Sequence, residues 1–119
     1  MKNKEFSILL EKRTLKFGIN IIRLSTSLPN TTEGRVIKNQ PTKSGTSIGA
    51  NYREANRARS KADFRNKIKI CESEASETLY WLDLVIGANI LTQEELELIY
   101  NECGELLAIF STIAKGTKL

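Results

Sequence analysis

Apolar residues recur at helical spacing through most of the chain. Phe64, Ile68, Cys71, Ala75, Thr78, Leu82 and Val85 follow an unbroken 4-3-4-3 spacing over three heptads, the pattern of a helix packed in a left-handed bundle. Leu96, Ile99, Cys103, Leu106, Phe110 and Ile113 repeat it near the end of the chain. Punctuation agrees with the period. Thr92 with Glu95 forms a capping box, Ser60 with Asp63 a variant of one, and Gly87 and Gly116 stand where helices stop.

The first segment carries two apolar stripes. Leu10, Phe17, Ile21, Leu24 and Leu28 make one, while Ile8, Leu15, Ile19 and Ile22 lie roughly opposite at ~100° per residue. The second segment is less regular. Pro41 disfavours helical geometry at Gln40 and removes a backbone bond, which predicts a kink, an interruption, or a helix start near the proline. Gly45 and Gly49 share one face and would let another helix approach closely. The pattern predicts helices over about 5–27, 32–59, 61–87 and 92–115, joined by short connections at 28–31, 59–61 and 88–92. That is an all-α, antiparallel up-down-up-down four-helix bundle, a single domain spanning 1–119.

Composition narrows the chemistry. The chain of 119 residues is 40% hydrophobic and 27% charged, which suits one folded domain with a modest core. It has no histidine, which excludes histidine-based nucleophile systems and histidine-containing zinc or di-iron sites. Two cysteines cannot close a four-cysteine metal site, and both sit on apolar stripes, so they read as packed thiols. No cofactor or metal is expected. Charged residues near the start interrupt any secretory signal, and no apolar run spans a bilayer. The expectation is a cytoplasmic protein with reduced thiols and no membrane partner, in which the Asn30-Thr31-Thr32 sequon carries no meaning.

The net charge of +4 conceals a strong asymmetry. Residues 1–30 carry +4, residues 31–72 carry +6, and residues 73–119 carry −6. Arg53, Arg57, Arg59, Lys61, Arg65, Lys67 and Lys69 crowd the end of helix 2, the turn and the start of helix 3. Arg53 with Arg57, and Arg65 with Lys69, are spaced to stack one turn apart. Such a tract neutralises phosphates of RNA or DNA, with arginine suited to bidentate contact. It serves equally as a solvated face that pairs with acidic helices.

Two other patterns are weaker. Gly45-Thr46-Ser47-Ile48-Gly49 spells the nucleophile elbow of α/β-hydrolases, but it lacks the strand-to-helix turn and the histidine that the chemistry needs. Glu54, Glu74 and Glu77 lack the imidazole partners of a carboxylate-bridged metal site and read as ion-pair partners. No catalytic residue is assigned, and no enzyme is expected.

The second stripe of helix 1 has no place in a lone bundle. Leaving Ile8, Leu15, Ile19 and Ile22 exposed would forgo on the order of 6–12 kcal/mol of burial. Helix 3 adds a second seam of Ile70, Glu74, Glu77 and Trp81, where a large aromatic rimmed by carboxylates resembles an oligomer contact. A basic surface meeting the next subunit's acidic surface makes a head-to-tail contact, and such contacts close into rings when the rotation permits. A cyclic homo-oligomer is expected.

The run Ser44-Gly45-Thr46-Ser47-Ile48-Gly49-Ala50-Asn51-Tyr52-Arg53-Glu54-Ala55 carries a resemblance, supported by Ala58-Arg59-Ser60-Lys61-Ala62-Asp63-Phe64 and by Glu74-Ala75-Ser76-Glu77-Thr78-Leu79-Tyr80-Trp81-Leu82. It resembles the four-helix-bundle family of bacterial proteins encoded within 23S rRNA intervening sequences, most strongly over residues 35–82. The resemblance implies a cytoplasmic bundle assembling as a homopentamer, with an undefined role. A fold relative, the accessory protein of diversity-generating retroelements, implies by analogy a basic surface for nucleic acid and a protein partner. Pro41 departs from the family pattern, where leucine is expected. Two functions follow as expectations: an oligomer whose basic surface binds RNA, ribosomal RNA or its precursor included, or an adaptor whose charge asymmetry serves self-assembly or another protein.

Overall fold

The computed structural model describes the backbone of residues 2–118 and the side chains of residues 4–118. Among those residues it contains four α-helices and no strand: α1 (Lys2–Ser25), α2 (Thr32–Ala55), α3 (Lys61–Gly87) and α4 (Gln93–Gly116). Each helix packs against its sequence neighbours, and α1 closes the bundle with a thinner contact to α4. Paired residues run in opposite directions along adjacent helices. Glu11 meets Asn56 while Ile21 lies against Gly45; Ile48 meets Cys71 while Ser44 meets Thr78; Asp83 meets Tyr100 while Glu72 meets Ser111. Neighbours are therefore antiparallel. The body measures 44 × 23 × 19 Å.

The core follows the periodicity. Ile68, Cys71, Ala75, Thr78, Leu82 and Val85 of α3 are fully buried, as are Leu96, Cys103, Leu106 and Phe110 of α4. Tyr52 meets Phe110 edge-on across the core at 5.5 Å between ring centroids, a favoured aromatic geometry. The buried Thr78 hydroxyl lies 2.7 Å from that of Ser44 and also donates to the Glu74 carbonyl, whereas the Thr42 hydroxyl is buried without a partner among the described residues. Gly45 and Gly49 permit the predicted close approach. A Cβ at Gly45 would stand 2.8 Å from Ile21 Cγ1, and one at Gly49 would stand 3.1 Å from Thr14 Oγ1.

α1 begins at Lys2, three residues before the expected start, and three further features depart from the expectations, each for a local reason. α1 stops at Ser25 because Ser25, Thr26 and Ser27 each turn a hydroxyl onto the carbonyl three residues back, capturing the acceptors that continue a helix. α2 stops at Ala55, short of Arg59, because Ser60 must be extended (φ −157°) to cap α3 by accepting the Asp63 N–H. Residues 56–60 therefore form a connection, and Arg57 and Arg59 leave the helix. α2 also runs through Pro41 as one helix beginning at Thr32, so it is neither interrupted nor started there. Its start is fixed upstream, where Thr31 accepts the Gly34 N–H at 2.9 Å. A Cβ on Gly34 would lie 1.9 Å from the Pro29 carbonyl oxygen, so only glycine lets the connection fold back over this first turn.

Candidate nucleic-acid interface

The antiparallel order gathers the α2–α3 connection, the start of α3 and the end of α4 at one end of the bundle. Within the predicted cationic tract, two side chains are occupied. Arg53 Nε lies 3.8 Å from Glu11 Oε1, and Lys69 Nζ donates to Glu72 Oε1 at 2.9 Å. Arg57, Arg59, Lys61, Arg65 and Lys67 make no ion pair among the described residues. Arg57 lies beyond the end of α2, yet it still lines one hollow with Arg53, Glu11 and Glu54. Lys61, Arg65 and Lys69 do share one helix and one ridge, at successive four-residue steps. Asp63 faces its own turn and accepts the Arg59 backbone N–H at 3.4 Å.

The connection and the end of α4 enclose a hollow of about 820 Å³, lined by Arg59, Ser60, Lys61, Phe64, Thr117 and Lys118 among others. Lys118 lies outside the sequence-predicted site, since it closes the acidic half of the chain. The signal that finds it is the topology: a fourth antiparallel helix must end beside the 56–60 connection.

The opposite end is acidic. Asp83, Glu94 and Glu97 line a hollow of about 680 Å³ with Tyr100. Tyr100 donates to Asp83 Oδ1 at 2.8 Å, and this bond to a carboxylate holds the phenol above its ordinary pKa. Glu95 completes the capping box, accepting the Thr92 N–H at 2.8 Å. The opposite charges thus gather toward different ends of the rod, although Arg23, Arg35 and Lys38 of α1 and α2 also reach the acidic end.

Both apolar seams remain outside the core. Ile8, Leu15, Ile19 and Ile22 are each 41–51% exposed. Leu15, Ile19 and Ile22 line a groove of about 300 Å³ with Gly49 and Ala50 of α2. Ile70 is exposed, and Trp81 is half-buried, donating its Nε1–H to Glu77 at 3.3 Å.

The remaining candidates take structural places. Ser47 lies inside α2 and donates its hydroxyl to the Lys43 carbonyl at 2.6 Å, away from any strand-to-helix turn. Cys71 and Cys103 are buried, and loss of solvent pushes both thiols up to about 12. A contact absent from the sequence reading joins the ends of the chain order. Arg13 grips Glu102 in a two-pronged bond of 2.6 and 2.7 Å and reaches Glu105 at 3.2 Å, so the guanidinium is held still more firmly protonated. No described helix is long and apolar enough to cross a membrane.

Comparison with known proteins agrees with this architecture. The family described as 23S rRNA-intervening sequence protein matches residues 8–112. One similar solved structure is a protein of unknown function from the S23 ribosomal protein family of Bacteroides thetaiotaomicron. It is 42% identical, superposes with a TM-score of 0.82, and the match covers 88% of this chain and 97% of that one. No curated protein matches.

Proposed function

The chain belongs to the 23S rRNA-intervening sequence protein family, and from that premise we propose that it is a non-enzymatic, self-associating cytoplasmic bundle that binds RNA through its cationic end. The observation that carries this reading is the group of unpaired cations, Arg57, Arg59, Lys61 and Arg65, at one end of the rod. Cations already paired with carboxylates contribute little new attraction, whereas unpaired ones release counterions when they meet phosphates. The family's tie to 23S rRNA makes ribosomal RNA, or its precursor, the first RNA to try. Replacing Arg57, Arg59, Lys61 and Arg65 together with alanine is expected to abolish RNA binding at moderate salt while circular dichroism stays unchanged. Wild-type affinity in that variant would overturn the reading.

The outer stripe of α1 supports the self-association. Its groove beside Gly49 and Ala50 suits an aliphatic ridge from a second copy, and Trp81 marks a further seam. The subunit number, five, comes from the family resemblance, so light scattering is expected to report about five times 13.4 kDa for a closed ring. A second reading, an adaptor for another protein, is favoured by the same apolar groove. A mass of one subunit at micromolar concentration would favour it over the ring.

A further inference from the structure

The cationic end is hollow, and an aromatic ring lies within it. Phe64 is half-buried, packed against the core on one side and lining the hollow on the other. Arg59 and Lys61 stand on one wall and Lys118 on the facing one. A volume of about 820 Å³ falls in the range of pockets that hold small organic ligands. From these features we infer that the hollow takes an unpaired nucleotide, so that the protein binds single-stranded RNA in preference to duplex. This inference rests on the nucleic-acid reading proposed above and names the form of RNA that the site admits.

Duplex RNA is recognised by its shape, through phosphate and 2′-hydroxyl contacts made by an element that spans successive grooves. Here the cationic residues surround a recess beside a connection of residues 56–60, too short to enter a groove. Single strands are bound in the other way, with bases splayed out and stacked on aromatic rings while cations follow the backbone. The arrangement supplies both parts. Arg59, Lys61 and Lys118 are placed for phosphates, and Phe64 offers a π-face that accepts any base. The acidic hollow at the other end also has an aromatic ring, Tyr100, but its carboxylates repel phosphate. A Trp–Tyr pair, half-buried Trp81 with exposed Tyr80, lies beside Glu77 and has the same disadvantage.

The test uses fluorescence anisotropy on the full chain with two probes, a labelled oligoadenylate and the same strand annealed to oligouridylate. The wild type is expected to bind the single strand at least tenfold more tightly. Phe64→Leu keeps an apolar group against the core and removes the stacking face. It is expected to weaken single-strand binding roughly 5- to 100-fold, with the salt slope unchanged because no phosphate contact is lost. Gly116→Leu provides a second variant that leaves Phe64 in place. Its Cβ position is free of neighbours, so the new side chain fills the hollow without disturbing the helix, and the same loss is expected. Wild-type single-strand affinity in both variants, or equal affinity of the wild type for the two probes, overturns the pocket inference and leaves the cationic-end reading standing. Failure of the wild type to bind either probe overturns both.

Discussion

The two ends of the bundle carry opposite charge, and they use it differently. At the acidic end two carboxylates serve the fold, Glu95 closing the capping box and Asp83 holding Tyr100, while Glu94 and Glu97 line the hollow without an ion pair among the described residues. Further along the same helices Glu102 and Glu105 hold Arg13, and Glu72 takes Lys69 and Ser111. At the basic end Asp63, in the first turn of α3, bonds to backbone, and Arg57, Arg59, Lys61, Arg65 and Lys67 make no ion pair among the described residues. Charge that stabilises a fold is consumed locally, whereas charge kept for a partner is left unpaired. For an anionic partner the unpaired cations of the basic end supply the attraction that the proposed function requires.

The comparison can be broken most forcefully by exchanging charge at each end. Arg57→Glu with Arg65→Glu is expected to lower RNA affinity at least a hundredfold at physiological salt, since it removes two phosphate contacts and adds two repulsions. Glu94→Gln with Glu97→Gln at the far end is expected to change affinity less than threefold. Filter binding distinguishes the two outcomes, and equal effects would erase the distinction between the ends.

Self-association comes next in size. Leu15→Glu places a charge in the α1–α2 groove and is expected to shift the mass seen by light scattering to smaller species, with helicity retained. Packing follows. Gly45→Val forces atoms into Ile21 and is expected to lose about 1–3 kcal/mol in urea melts. Gly104→Ala meets open space within α4 and is expected to gain about 0.5–1 kcal/mol.

The helix caps compare the two ends at the smallest scale. Thr92→Ala breaks a reciprocal box and Ser60→Ala breaks a single bond, so both lie within the ~0.5–2 kcal/mol of cap losses, with Thr92→Ala the costlier. The thiols provide a pH check. Burial raises both above the ordinary 9.0 to about 12, so the folded state keeps protons that the unfolded chain has lost. Their contribution to stability is complete below pH 9 and declines as the pH rises toward 12. Urea midpoints measured across that interval are expected to fall, and Cys71→Ala with Cys103→Ala to flatten the decline.

Much of this was legible in the residues because period and burial are the same fact seen twice. The α3 stripe is fully buried from Ile68 to Val85. The second α1 stripe stands outside because one helix face can serve only one core. What escaped was local competition between neighbouring elements. Arg57 and Arg59 read as helical until Ser60 is required to cap α3 in an extended conformation. Pro41 read as a kink, an interruption or a helix start; the last two give way because α2 runs on from its start in the Thr31 cap and the Gly34 turn. Long-range pairs escaped entirely: neither Arg13 with Glu102 nor Lys118 beside Arg59 has a signal in spacing, because both depend on the register of α4.

The salt dependence of RNA binding by the unmodified protein tests the central claim most directly. Affinity for a single-stranded RNA, measured by anisotropy between about 50 and 200 mM salt, should fall with a log–log slope of about −3 if four cations each meet a phosphate. A slope near zero, or no binding at the lowest salt, would contradict the assignment of the cationic end as a nucleic-acid surface.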